Sequence, residues 1–268
     1  MFDGHRVAKT GELVGAMPAV FILPEDLELT AGPASFHRRF LDLYISQYSR
    51  LYLDDLVNYR KVLQQRNRLL KEMAAGVGDK SQLPAWDRLL IEHGSRIAAH
   101  RHKFIEAIAP AAAEYYARFA GDRKLQIDYR PKIAADETDF EVAIEKLLTA
   151  VRQRELRAGV TLAGPHRDRL EMMLESRSLR HFGSRGEKRC AMLAIKIAAA
   201  DYLSAIKEEP VVLILDEGFA ELDSRKCRVL LEILSERAQV FLATAGDFQW
   251  QGHELARYSI EKGQAVRQ

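Results

Sequence analysis

The stretch Val211–Asp223, VVLILDEGFAELD, decides the reading of this chain. Five apolar residues run into Asp216 and Glu217, and two further acids, Glu221 and Asp223, follow. A short continuous apolar run is the pattern of a parallel strand covered on both faces. The carboxyl end of such a strand is where open α/β sheets take their ligands. A carboxylate there can hold Mg²⁺ while the metal neutralises the β- and γ-phosphates of a nucleotide, which makes Asp216 the candidate metal acid. Glu217 is then placed to orient and deprotonate an attacking water. This is a Walker B pattern, and the acidic turn after it has the form of a D-loop. The plainer alternative is structural: strands often end in Asp, and Asp223 or Ser224 can simply cap the next helix.

Upstream lies FGSRGEKR, residues 182–189, before the apolar segment CAMLAIKIAAADYLSAI. Ser184 and Gly186 sit where a turn opens a helix. Free N–H groups and a hydroxyl at a helix amino terminus form a phosphate site, and glycine lets the backbone approach the anion. The spacing S-x-G-x-x-R, ending at Arg189, has the form of an ABC signature in its DNA-repair variant. A signature closes over a γ-phosphate held by a second subunit, so function implies a symmetric dimer with composite sites. The alternative is an ordinary capped glycine turn.

The rest of the chain is organised around these motifs. Residues 1–35 include PAVFILP, a short buried strand bounded by prolines, and form part of an ATPase lobe. Residues 36–121 carry apolar positions at helical spacing, among them Leu56, Tyr59, Leu63, Leu70 and Met73, then Trp86, Leu90, Ile97, Phe104 and Ile108. Two long helices joined by AAGVGDKSQLP predict an antiparallel hairpin lobe. Residues 122–268 read as α/β again: strand KLQIDYRP, a helix capped by Thr138 or Asp139, strand VTLAG, a hairpin turning at Glu175 and Ser176, a buried helix, the Walker B strand, a helix, the buried strand AQVFLATAGD and a last strand RYSIEKGQAV. The fold class is therefore an α/β, ABC-type ATPase head with an inserted antiparallel helical hairpin.

Composition narrows the partners. The chain has 268 residues, 47% of them apolar, and a net charge of +2. So small a charge excludes binding driven by a global field and leaves local patches. Cys190 and Cys227 fit no disulfide framework or metal spacing and read as reduced thiols. The start MFDGHRVAKTGE has no signal-peptide core, and no apolar run reaches membrane-spanning length, so the expectation is a cytoplasmic protein without a membrane partner.

FILPEDLEL, RRFLDLYISQ, YRKVLQQRNRLLK, GPHRDRL, FGSRGEKR, VVLILDEGFAELD and VFLATAGD occur in the order of the bacterial RecF family, and the chain resembles that family over nearly its whole length. RecF is itself similar to the ATPase heads of SMC and Rad50 proteins. The resemblance implies an ATP- and Mg²⁺-dependent DNA-binding clamp, forming a homodimer on ATP. It implies recombinational repair and replication-fork maintenance alongside RecO and RecR, on duplex DNA and single-/double-strand junctions. It makes Asp216 the magnesium-linked acid, Glu217 the catalytic carboxylate, Ser184, Gly186 and Arg189 the signature, Asp223 the D-loop acid and Thr244 the switch residue. The sequence departs from the family at Arg185, Glu187 and Lys188, where GSQGQQR is usual, at LATAGD in place of ITTTD, and at Leu23, where serine usually precedes PEDL.

No G-x-x-x-x-G-K-[ST] occurs in this sequence. Without that loop there is no nest for the α- and β-phosphates and no lysine for the γ-phosphate. The expectation is a head whose phosphate-loop part is absent, unable to hydrolyse ATP alone, with apolar surface open and a tendency to self-associate. The alternative is a non-catalytic module that keeps the fold to bind DNA or a repair partner. For DNA, the candidate contacts are Arg60, Lys61, Arg66, Arg68 and Lys71 on the first hairpin helix, where cations on a helix face can neutralise phosphates. No aromatic residue interleaves with them, which favours duplex contact over base stacking. His166 and Arg167 of GPHRD can reach nucleotide or relay its state to the hairpin.

Overall fold

The computed structural model describes residues 13–121, 123–132, 139–217, 222–237, 239–244, 256–261 and 263–268. Strand β1 (Ala19–Ile22) comes first. Pro24 then opens a 3-10 turn, because its fixed φ suits a first helical position. Helices α1 (Glu28–Ala31), α2 (Ala34–Tyr48), α3 (Arg50–Ala74) and α4 (Leu83–Ala120) follow. The single first helix expected from Phe36 onward is in fact two. Ser49 breaks it: its backbone is extended, and its Oγ accepts from the Tyr52 N–H at 3.2 Å, capping α3. Leu56, Tyr59, Val62, Leu69 and Leu70 face inward on α3; Leu90, Ile97, Phe104 and Ile108 do so on α4. The two pack side by side as the hairpin predicts.

Beyond the hairpin lie β2 (Leu125–Arg130), α5 (Phe140–Ala158), β3 (Arg169–Leu174), β4 (Arg177–Ser178), α6 (Leu179–Phe182) and α7 (Arg185–Lys207). Then come β5 (Val212–Asp216), α8 (Ser224–Ser235), β6 (Val240–Ala243), β7 (Tyr258–Glu261) and β8 (Gln264–Arg267). Asp139, not Thr138, caps α5: its Oδ1 accepts from the N–H of Glu141 and Val142. Thr138 lies outside the described residues. Glu175 and Ser176 make the expected two-residue turn, with φ of 50° and 63°, the left-handed pair that suits a tight hairpin.

Two strand expectations need correction. VTLAG is not a strand, because side chains take its donors: Thr161 N–H bonds Asn67 and Leu162 N–H bonds Glu155. RYSIEKGQAV is not one strand but the β7–β8 hairpin. The β5 sheet has one face open among the described residues, in keeping with the open apolar surface expected above. Its order is β1-β5-β6, all parallel. The register aligns Phe21, Ile214 and Phe241 in one row, and Phe21 and Phe241 remain 42% and 53% exposed. The other face rests on α7, whose apolar residues are almost all buried between the sheet and α4. The antiparallel sheet β2-β3-β4 packs against α4 and α2.

Candidate functional site

The parallel register sends three strand ends to one edge. Ile22 lies opposite Leu215, and Asp216 opposite Ala243, so Leu23, Asp216–Glu217 and Thr244 are neighbours there. Asp216, Glu217 and Thr244 are exposed. Neither carboxylate enters an ion pair among the described residues, so both keep their oxygen atoms for a hard cation or a water, which fits Mg²⁺. Glu217 has a φ of 48°, a left-handed conformation that a residue with a side chain holds only when its surroundings fix it. Two bonds fix it here. Its N–H donates to Ala243 O at 3.0 Å, and its carbonyl accepts from Arg189 at 3.0 Å.

That second bond comes from the signature segment. Ser184 caps α7, its Oγ accepting from Glu187 N–H at 3.3 Å, while the Glu187 carboxylate accepts from Ser184 N–H at 2.7 Å. This reciprocal box satisfies two donors that a helix start otherwise leaves open. Arg123, at the foot of the hairpin, pairs with the same carboxylate. Burial opposes the charge on Glu187, but the Ser184 backbone and Arg123 outweigh it and hold the carboxyl below its ordinary range. Gly186 has open space where a Cβ would stand, so no neighbour among the described residues requires glycine there. The segment borders a cleft of ≈ 380 Å³, lined also by Phe119, Cys190, Asp223 and Lys226. Asp223 caps α8 through Lys226 N–H at 2.9 Å and pairs with the Lys226 ammonium at 2.8 Å. The Lys226 bond chiefly lowers its pKa. Glu221 lies outside the described residues. Cys190 is buried, which pushes its thiol up to about 11, and Cys227 is also free.

The candidate DNA contacts divide. Arg60, Lys61, Arg68 and Lys71 are exposed, with Arg60 paired to Asp42 and Arg68 to Glu72. Arg66 is not on that face. It is fully buried, donating to Asp87 at 2.8 Å, Thr161 at 2.8 Å and Glu155 at 2.6 Å, so it cannot touch DNA in this fold. Its position on the inward stripe, between Val62 and Leu69 at four- and three-residue steps, is the signal that could have shown this. Arg101 repeats the arrangement on α4, between Ile97 and Phe104. It donates to Tyr52 OH at 3.0 Å, Asp42 at 2.8 Å and Pro165 O at 2.7 Å.

GPHRD closes this buried network. Tyr129 donates to Asp168, and Lys132 N–H reaches its other oxygen at 3.0 Å. Burial pushes the Asp168 carboxyl up more than Arg101 and Tyr129 draw it down. The Thr161 carbonyl can only accept, so His166 Nε2 carries the proton toward it at 3.2 Å. Nδ1 then accepts from Tyr59 OH at 2.6 Å. Burial first, then nearby arginines, lower the His166 pKa to about 4, despite the bond to Thr161. Gly164, with φ 116°, leaves room for Tyr59, whose hydroxyl would stand 2.5 Å from a Cβ. The loop thus binds the hairpin helices. Sequence reasoning also missed Lys196, buried in α7, which donates to Phe21 O at 2.6 Å and pairs with Asp26.

With the Walker B turn held from the helix that Ser184 opens, the fold falls in one class: α/β heads of the ABC ATPase type carrying a helical hairpin. Known proteins narrow it. The DNA replication and repair protein RecF of Moorella thermoacetica is 40% identical over 233 residues, 87% of this chain and 62% of that protein. That of Symbiobacterium thermophilum is 36% identical over 246 residues, 90% and 65% of the two chains. The solved structure described as recombination mediator protein RecF-ATPrS in the RecFOR pathway superposes with a TM-score of 0.88 at 27% identity, 99% of this chain covering 71% of that one. Its RecF-ATP counterpart gives 0.87 at 26% identity over the same shares. No family model matches. The chain spans less than two thirds of these curated relatives' length, and over that span its sequence is similar to the RecF family. No helix among the described residues is long and apolar enough to cross a membrane.

Proposed function

We propose that this chain is the signature- and Walker B-bearing part of a RecF-type, ATP-dependent DNA-binding clamp that acts in DNA replication and repair. The bond from Arg189 to the Glu217 carbonyl carries the reading, because it couples the segment that would meet a second subunit's nucleotide to the acid that would act on its own. Asp216 would hold Mg²⁺, which would neutralise phosphate charge when bound; Glu217 would orient water; Ser184 and Gly186 would present the α7 amino terminus to the partner's phosphate. Asp223 and Thr244 would line the same closure, in a homodimer formed on ATP. Residues 1–35 and 122–268 would form the ATPase lobe and residues 36–121 the hairpin lobe. RecO, RecR and DNA junctions are the partners this reading brings with it.

The sequence contains no phosphate loop, so we expect no ATP turnover by this chain alone. That same fact supports a second reading, a non-catalytic module that keeps the fold to bind DNA. Two measurements test the proposal. Equilibrium dialysis with MgATP should show no binding up to about millimolar nucleotide, at least a thousandfold weaker than a micromolar site; micromolar binding would mean another phosphate site and would sink the assignment. Anisotropy with a labelled duplex should show affinity that falls with salt and falls again in K61Q/R68Q; no binding at low salt would overturn both readings.

A further inference from the structure

Helix α7 carries a charge in the middle of its apolar stretch. Between Arg189 and Asp201 the only charged residue is Lys196, set among Leu193, Ile195 and Ile197. It is 4% exposed, and a buried ammonium is costly unless it is paired and hydrogen-bonded. Lys196 is both. Its Nζ donates to Phe21 O at 2.6 Å, pairs with the Asp26 carboxylate and stands 5.9 Å from the centre of the Tyr44 ring. Burial lowers its pKa, and Asp26 most opposes this.

These bonds fall on the outer edge of β1, where no strand lies among the described residues. Side chains take up the main-chain groups instead. The Gln47 amide of α2 accepts from Ala19 N–H at 2.9 Å and donates to Ala19 O at 3.1 Å. At the end of the strand, Leu23 N–H donates to Asp26 Oδ2 at 2.7 Å, the same oxygen that Lys196 meets. Lys196 thus holds Phe21 directly and, through Asp26, the turn at Leu23, which shares the nucleotide edge with Asp216. Arg189 stands two helical turns earlier on the same face of α7. One cation ties α7 to the end of β5, the other to the end of β1. Thr30 adds a tie, its Oγ1 donating to Lys188 O at 3.1 Å. We infer that Lys196 is a positioning residue for the nucleotide edge: it couples the end of β1 to the helix that Ser184 opens, so that a displacement at Ser184 reaches Leu23 as well as Glu217. This deepens the signature and Walker B reading and rests on it. A side chain that merely plugged the edge would carry no such response.

The test is NMR of the full chain, with amide shifts and amide exchange read at Leu23 and Glu217. In the otherwise native chain, S184A, which removes the α7 cap, should shift both amides. K196M should keep the S184A shift at Glu217 and abolish it at Leu23, where exchange should quicken about tenfold as Asp26 turns to water. K196R should preserve the Leu23 response. K196M/D26L leaves neither charge of the pair buried alone, so its urea midpoint should return toward native while the Leu23 response stays lost, which separates positioning from stability. A Leu23 response that survives in K196M, or that returns in K196M/D26L with the urea midpoint, would overturn the inference. If S184A moves Glu217 but never Leu23, the inference fails and the general reading stands. If neither amide responds, the signature does not reach the edge and both fail.

Discussion

The guanidinium of Arg189 donates to the main-chain carbonyl of Glu217 at 3.0 Å, joining the first turns of α7 to the end of β5. Glu217 is left-handed without being glycine, so its turn depends on outside support. Arg189→Ala removes a charged donor from that carbonyl and should cost about 2 kcal/mol. Amide hydrogen exchange at Glu217, whose N–H bonds Ala243, should quicken more than exchange across β1. Unchanged exchange would mean that the β6 contact alone holds the turn.

Arg66 meets two carboxylates, and Glu155 is as fully buried as the arginine itself. Arg66→Met strands a buried charge and should cost about 3–5 kcal/mol. R66M/E155L should recover much of that loss in urea titrations, because no buried Glu155 charge then remains. Equal losses in the single and double variants would show that packing, not charge, explains the effect.

His166 and His37 have folded pKa values lowered to about 4, below their ordinary 6.5. The unfolded chain then binds protons first as pH falls. Stability is complete above about pH 6.5 and is lost toward about pH 4, where the folded histidines protonate too. Urea midpoints should therefore drop from about pH 7 to about pH 5. His166→Gln should flatten part of that drop, with His37 supplying the remainder; a slope equal to that of the native chain would exclude His166 from the effect.

The row Phe21–Ile214–Phe241 leaves apolar surface in water. Apolar faces of this kind promote association. Phe241→Lys should raise the concentration at which sedimentation velocity detects self-association, with little change in melting temperature. Native-like association in the variant would place the contact elsewhere.

The Walker B strand, the capped helix at Ser184 and the hairpin were all legible because each is local: apolar period, cap and turn residues lie next to one another in the sequence. VTLAG misled for the opposite reason, since its backbone partners, Asn67 and Glu155, stand on helices that only folding brings near. Arg66 looked like its exposed neighbours Arg60 and Arg68, and only the phase of the α3 stripe against α4 and α5 turned it inward.

What the sequence by itself determined is the set of elements and the order of the motifs, which follow from short-range periodicity and turn chemistry. Tertiary structure alone decided which charges are buried and which meet solvent, because an arginine's environment depends on carboxylates far away along the chain. It also brought Arg189 to Glu217. Contacts of that kind exist only once α7 has packed between the sheet and α4.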